Sequence, residues 1–381
     1  MDFALTADQR DLLAPIETIA RAEFAETAFD HNAATPQQNI RRLASLGLLA
    51  LSLPVDYGGA GRPAVDAVLA VEKIAQSCPR TAWYFLNVNL GPAYVLAQLA
   101  SPEICERYVG PSALGDLMIR IAITEPDAGS DVAAMRTTAR PDGDVVVLNG
   151  SKVFTSGSDH AHAFLTYVRF GEAPDDIGCV LVDRDAPGLG FGSPETYMDG
   201  ERYLPLFFED CRVPAENVIA AGGAFKLLMG AYNVARCGAA AEALGVAQLA
   251  HDLALDYILE RRQFNRRLAD FQGLRWMIAE MATEIEGARL LCYRAISDLH
   301  DGFPRRYESS MAKLAAAEAV KSVVDKALQL HGGSGYVNSV PISWLYRLGR
   351  RFSLAGGTSE IHKNGLAAEL IRRREAQRAT R

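Results

Sequence analysis

The chain has little excess charge of either sign: across 381 residues, 39 Lys and Arg stand against 46 Asp and Glu, for a formal net charge of −7. That balance removes the electrostatic footing for nucleic acid as a partner, because polyphosphate binding rests on counterion release to a basic surface. The basic clusters at Arg261, Arg262, Arg266 and Arg267 and at Arg372, Arg373 and Arg374 are short, suited to a solvated helix face or a phosphate contact. Six cysteines, Cys78, Cys105, Cys179, Cys211, Cys237 and Cys292, are scattered without CxxC spacing or neighbouring histidines. This pattern argues against a disulfide framework and a metal site and predicts reduced, mostly buried thiols. No uninterrupted apolar run reaches membrane-spanning length, and the N-terminus, MDFALTADQRD, has acids where a signal peptide needs bases. The expectation is a cytoplasmic protein, or the matrix form of a processed one, with no membrane partner. Neither an internal repeat nor a low-complexity segment is present.

What is there is ordinary globular material, 49% hydrophobic and 22% charged, enough for two or three domains with sizeable cores. Residues 1–117 read as an N-terminal α-helical domain: Thr6-Ala-Asp-Gln can cap a first helix, and Pro36, Pro54, Pro63, Pro79 and Pro102 sit near segment starts. Residues 118–223 read as a central β domain. Its short β-branched and aromatic runs, Val145 to Leu148, Ala163 to Val168, Cys179 to Val182 and Leu204 to Phe208, are punctuated by Gly turns. Residues 224–381 return to helix, with Ala- and Leu-rich segments at about 225–259, 271–300, 305–331 and 357–375, long enough for a bundle. An α+β chain ordered helical, β, helical suits a flat cofactor.

Four segments carry chemistry-bearing residues. Ile121-Ala-Ile-Thr-Glu-Pro-Asp-Ala-Gly-Ser-Asp131 sets hydroxyls, carboxylates and a glycine at the start of the β region; taken alone it is a strand ending in a turn. Asn149-Gly-Ser-Lys-Val-Phe-Thr-Ser-Gly157 follows about twenty residues on. Arg261-Arg-Gln-Phe-Asn265 precedes Phe271-Gln272, and Gln329-Leu-His-Gly-Gly-Ser-Gly-Tyr336 ends a helical stretch with glycines. A fifth stretch, Phe352-Ser-Leu-Ala-Gly-Gly-Thr-Ser-Glu-Ile361, holds three small residues before a hydroxyl and a carboxylate.

Together and in this order these segments resemble the signatures of the FAD-dependent acyl-CoA dehydrogenases along essentially the whole chain. The resemblance implies that family's fold: an N-terminal helical domain, a central β domain and a C-terminal four-helix bundle, assembled as a dimer of dimers. It implies FAD, with Thr124 bonding the flavin ring, Ser130 its pyrophosphate, Phe154 shielding the flavin edge and Ser156 donating to N5. Arg261, Gln263, Phe264 and Gln272 would hold the pyrophosphate and adenine of the adjacent subunit's FAD, an Arg fork suiting a pyrophosphate. Gln329, Gly332 and Gly333 would let backbone approach the diphosphate and adenosine, and Thr358 and Glu360 would complete the adenine and ring contacts. Asn87, Asn89, Asn233, Arg236 and Ala355 would border the substrate.

The chain departs from that pattern at its reactive centre. The family's usual Tyr-Glu-Gly-Thr is Ala355-Gly356-Gly357-Thr358 here, so the position of the glutamate that removes the α-proton is Gly356, which has no side chain to protonate. The other family location for that acid, just before the arginine that Arg236 resembles, is Ala235. Glu242, seven residues and about two turns further along the same helix, is a candidate replacement base; a rim or ion-paired role is the alternative. His160 is a further titratable group near the flavin segment. Ala355 opens space where the family has tyrosine. The resemblance implies an oxidoreductase on an acyl-CoA or acyl-carrier thioester, exchanging hydride with flavin N5 and passing electrons to an electron-transferring flavoprotein, with its base relocated or its chemistry altered. Acyl-CoA dehydrogenase-like desulfinases share the Gly-Gly-Thr turn, and Ala231-Tyr-Asn-Val-Ala-Arg236 also looks like theirs, so a redox-neutral lyase with structural FAD is an alternative. A sulfinate would need a nearby cation, and the pocket segment offers Arg80. A flavin-loaded acyl-CoA-binding protein without turnover is the remaining alternative.

Overall fold

The protein's computed structural model describes residues 4–29, 34–300 and 302–379; Met1 to Phe3, on which the leader reading partly rests, lie outside them. Helices come first. They are α1 (Ala7–Ile19), α2 (Ala34–Ser45), α3 (Ala64–Ala75), α4 (Pro79–Asn89) and α5 (Pro92–Leu99), with short turns of helix to Ala113. The Thr6 cap forms as the sequence predicts: its side chain accepts from the Gln9 amide at 3.1 Å and Gln9 reaches back to the Thr6 amide, a reciprocal box that satisfies two N-terminal donors.

The strands of the main sheet follow: β1 (Ile119–Ala122), β2 (Thr138–Asp142), β3 (Val145–Lys152), β4 (Ala163–Arg169), β5 (Ile177–Asp183), β6 (Leu189–Phe191), β7 (Leu206–Pro214) and β8 (Val218–Ala220). They form one sheet in the order β8-β5-β4-β2-β3-β7-β6, with β1 parallel to β4. In β4 and β5 six of seven residues are buried, the continuous apolar pattern of strands covered on both faces. β7 instead alternates buried and exposed positions along much of its length, so one of its faces meets solvent. It begins at Leu206, two residues later than the run read from sequence, because Pro205 cannot donate a ladder hydrogen bond.

The remaining chain is α6 (Phe225–Glu260), α7 (Gln272–Ser297), α8 (Arg306–His331), α9 (Pro341–Arg351) and α10 (Ser359–Ala379). Helix α9 is absent from the sequence reading, although Pro341 at its first position and the buried Ile342, Leu345 and Leu348 on one face are start and periodicity signals. Packing divides the chain into two compact units, one of Met1–Pro36, Val65–Leu86 and Asn233–Arg381 and the other of Gln37–Ala64 and Asn87–Tyr232.

Within the first unit, α6 is buried on several faces: Ala240, Ala241, Ala243, Leu244, Val246 and Ala247 are all inaccessible. Gly245 has to be glycine, since a Cβ there would lie 2.4 Å from the Ala75 Cβ and 2.6 Å from the Glu72 carbonyl oxygen. Glu72 also joins α3 to α7, its carboxylate accepting from Arg289 Nε and the Tyr293 hydroxyl, both at 2.7 Å. All six cysteines are free and buried. No helix among the described residues is long and apolar enough to cross a membrane.

Candidate functional site

In the sheet-containing unit, Thr124 and Ser156 lie on loops leaving β1 and β3, and one buried ion pair ties these loops together. Lys152 Nζ donates to Glu125 at 2.8 Å and to the Ile123 carbonyl at 2.9 Å, while Glu125 also accepts the Arg136 and Thr137 amides at 2.6 and 2.9 Å. Burial pushes the Glu125 carboxyl up, but Lys152 and the amides outweigh it and hold the group below the usual glutamate range. The Val153 amide then donates to the Thr124 carbonyl at 2.8 Å. On this platform Phe154 takes the left-handed backbone conformation, φ 59°, and leaves its ring 58% exposed. The ring lies 5.4 Å from Tyr203, which stacks on Tyr197 at 5.0 Å, and the Ser156 hydroxyl is 3.4 Å from the Tyr197 hydroxyl. Ser130 is exposed on the preceding loop. An apolar ring and hydroxyl donors on an open ledge match the edge chemistry of a flavin.

Asn89, expected at the substrate, is fully buried. Its amide nitrogen donates to the Leu49 carbonyl at 2.7 Å, and its side-chain oxygen accepts the Ser52 amide at 3.1 Å. Sequence proximity to a pocket segment cannot reveal this, because the partners lie 37 and 40 residues away. Asn89→Ala should lower unfolding free energy by about 1–3 kcal/mol, the cost of stranding buried backbone groups, with acyl-CoA selectivity unchanged; a selectivity change in the folded variant would restore the substrate role. Asn87 is partly exposed.

In the other unit, the segment from Arg261 to Gln272 begins with a tight hairpin pairing Arg262–Gln263 with Arg266–Arg267. Its two central residues, Phe264 and Asn265, have φ of 52° and 61°, the paired positive values a two-residue hairpin turn demands. Asn265 tolerates this readily, whereas Phe264 is strained and its ring is 88% exposed. Arg261, Gln263 and Gln272 are exposed alongside. Tyr257 stacks on His331 at 4.4 Å, which sets the end of α6 beside the end of α8. There Gln329, Gly332 and Gly333 are exposed, Gly332 has φ 58°, and a Cβ on either glycine would meet nothing within 4 Å. Open backbone, arginines and exposed aromatic surface fit a pyrophosphate and an adenine.

The turn from Phe352 to Thr358 lies in this same unit. Gly356 and Gly357 have φ of 74° and 101°, and Thr358 caps α10 by accepting the Ile361 amide at 3.3 Å. Arg236 on α6 donates from Nε to the Gly356 carbonyl at 3.1 Å and from Nη1 to Asn233 Oδ1 at 2.7 Å; Asn233 in turn donates to the Pro304 carbonyl. Asn233, Arg236 and Gly356 therefore come together, with the exposed Ala355 beside them. Glu360 points to solvent from the first turn of α10.

Glu242 is buried and its carboxylate accepts from Arg351 Nη2 at 2.5 Å. That occupation is the ion-paired alternative, and it leaves the carboxylate committed to Arg351 rather than presented as a base. Two residues absent from the sequence reading complete the turn. Buried Lys313 on α8 donates to the Phe352 carbonyl, and its Cε lies 3.6 Å from where a Cβ on Gly356 would stand. Burial, with Arg236 and Arg351 nearby, brings its amine down to about 8 against the opposing effect of Glu242. His362 Nε2 is buried without a hydrogen-bond partner, although the Gly356 carbonyl lies near enough to favour its charged form. Burial and the cations Lys313 and Arg236 nonetheless bring it down to about 4. The sequence signal for Lys313 is one charge inside the apolar run Met311-Ala-Lys-Leu-Ala-Ala-Ala317.

Comparison with known proteins agrees with this architecture. The family models of the acyl-CoA dehydrogenase N-terminal, middle and C-terminal domains match residues 6–116, 120–211 and 222–371. Acryloyl-CoA reductase (NADH) of Anaerotignum propionicum is 35% identical, covering 98% of this chain and 97% of the relative. A 3-sulfinopropanoyl-CoA desulfinase of Paraburkholderia xenovorans is 33% identical over 99% of both chains. The solved structure of butyryl-CoA dehydrogenase from Megasphaera elsdenii superposes with a TM-score of 0.90 at 28% identity, over 97% of this chain and all of that one. Fold and site thus define an FAD-dependent flavoenzyme. The chain belongs to the acyl-CoA dehydrogenase family.

Proposed function

We propose that this chain turns over an acyl thioester without a carboxylate base at the turn before α10, and that loss of a leaving group describes its reaction better than dehydrogenation. The observation that carries this reading is the pairing of Glu242 with Arg351 at 2.5 Å, since that carboxylate is the replacement base the sequence offers and Gly356 has none. Among relatives, the desulfinase is named for removing a sulfinate from an acyl-CoA, which supports the same direction. FAD, when bound, supplies a ring that can exchange hydride at N5. Thr124, Ser130, Phe154 and Ser156 would hold its ring and first phosphate. Arg261, Gln263, Phe264, Gln272, Gln329, Gly332 and Gly333 would hold the pyrophosphate and adenine of a neighbouring copy's FAD, so the protein would work as a homo-oligomer, a tetramer on the family pattern. Thr358 and Glu360 would add contacts to the cofactor. At the substrate, Asn233 fixes Arg236, and Arg236 fixes the Gly356 carbonyl and so the shape of the turn. The segments 1–117, 118–223 and 224–381 would be its domains. An electron-transferring flavoprotein would be required only if net dehydrogenation occurred.

The test is an anaerobic titration of the purified yellow protein with short, branched and aromatic acyl-CoAs, following the oxidised-flavin absorbance. The expected result is a spectral shift on binding with the yellow colour retained. Bleaching by a saturated acyl-CoA would overturn the reading and establish dehydrogenation with a base elsewhere.

A further inference from the structure

Resting on the proposed contact of Ser130 with the first phosphate of FAD, we infer that Arg169 is a positioning residue for that contact: its guanidinium fixes the loop that presents Ser130. Arg169 ends β4, whose six preceding residues are all buried, and it lies outside the five motif segments. Its half-buried side chain is spent on backbone carbonyls. Nε donates to the Met135 carbonyl at 3.1 Å, Nη2 to the Ala133 carbonyl and Nη1 to the Ala173 carbonyl in the β4–β5 turn, while its own amide donates to the Thr137 carbonyl at 2.8 Å. A planar fork can hold carbonyls of two loops at once, which the compact ammonium of lysine cannot. Glu125 takes the same stretch by its amides, accepting from Arg136 and Thr137 at 2.6 and 2.9 Å. A cation therefore holds the carbonyls and an anion the amides, and both sets are charge-assisted hydrogen bonds.

Backbone bonds carry that hold to Ser130. The Ala134 amide donates to the Asp131 carbonyl at 3.1 Å and the Met135 amide to the Val132 carbonyl at 3.2 Å, closing a tight turn over Val132–Ala134. Asp131, the first residue of this closure, directly follows Ser130. On the entry side Glu125 and Ala128 exchange two backbone hydrogen bonds, both at 3.2 Å. Gly129 and Ser130 form the exposed apex between these two feet, and a Cβ on Gly129 would meet nothing within 4 Å. The apex is open to a ligand, and its placement is set by the feet. Glu125 steadies both of them, whereas Arg169 fastens the exit foot to a buried strand. A hydroxyl that must meet a phosphate at hydrogen-bond distance needs such a frame, because the strength of the bond falls steeply with misplacement.

The experiment measures binding of FAD, and of riboflavin, which lacks both phosphates, to the flavin-stripped full chain by flavin fluorescence quenching. Wild type, Ser130→Ala, Arg169→Lys and Arg169→Met are compared. FAD affinity should fall at least about tenfold in all three variants, the scale of a charge-assisted hydrogen bond, with riboflavin affinity unchanged and lysine giving no rescue. Residue-resolved hydrogen exchange on the FAD-loaded protein should show the Ala134 and Met135 amides losing protection in Arg169→Lys. Those of Arg136 and Thr137, held by Glu125, should keep theirs. Undiminished FAD affinity in Ser130→Ala refutes the Ser130 contact and the inference with it. A loss in Ser130→Ala but not in the Arg169 variants leaves that contact standing and overturns the role of Arg169. Equal loss of FAD and riboflavin, or full rescue by lysine, overturns it as well. Should the Arg169 variants fail to fold, exchange in the wild type decides: protection of Ala134 and Met135 above Gly129 and Ser130 supports the clamp, and its absence overturns it.

Discussion

Gly356→Glu should make the protein bleach its flavin with butyryl-CoA at least about a hundredfold faster than the wild type, the lower range of what a positioned general base contributes. Steric room exists: the new Cβ would meet Lys313 Cε at 3.6 Å, an ordinary contact. The backbone opposes the change. Gly356 has φ 74°, a conformation costing an L-residue about 1–2 kcal/mol, so the variant should be measurably less stable. Gly356→Ala carries the same strain without the carboxylate and is the control. If stopped-flow absorbance shows the glutamate variant no faster than the alanine one, then the base is not the only deficit.

Glu125→Gln should be the most damaging single substitution in the sheet-containing unit, lowering unfolding free energy by about 3–5 kcal/mol, the cost of leaving a buried charge unpaired. Lys152 is fully buried, and Glu125 is its carboxylate partner. Urea unfolding followed by circular dichroism measures the loss, and retained FAD absorbance after gel filtration should fall with it, since the pair holds the loops bearing Thr124 and Ser156. Adding Lys152→Met should recover part of the stability, because the double variant has no stranded charge; failure to recover would refute the pairing as the cause. The pH dependence follows in sign. The folded-state carboxyl sits below its unfolded value of 4.5, so its contribution is present above that value and is lost as pH falls through the folded-state value. Glu125→Gln should flatten this acid limb relative to the wild type.

Much of the fold was legible because its signals are local. Thr6 and Gln9 cap α1 through atoms three residues apart. Strand β4 is visible as an apolar run, and α6 as a long Ala-rich helix. Helix α9 was legible in principle, being short but capped by Pro341 and periodic. The motif segments were likewise readable as linear strings, and with them the family and FAD.

What only the tertiary structure decided depends on partners far apart in sequence. Asn89 looks like an available amide until Leu49 and Ser52 are found to consume it. Glu242 looks like a candidate base until Arg351, 109 residues on, is found against it. Glu125 and Lys152 read as turn and motif residues, and only burial makes each the required partner of the other. By itself the sequence determined that residue 356 lacks a carboxylate, because a side chain is a property of one position. The electrostatic surroundings of that gap were decided by packing, which alone brings Arg236, Lys313 and Arg351 together from three helices.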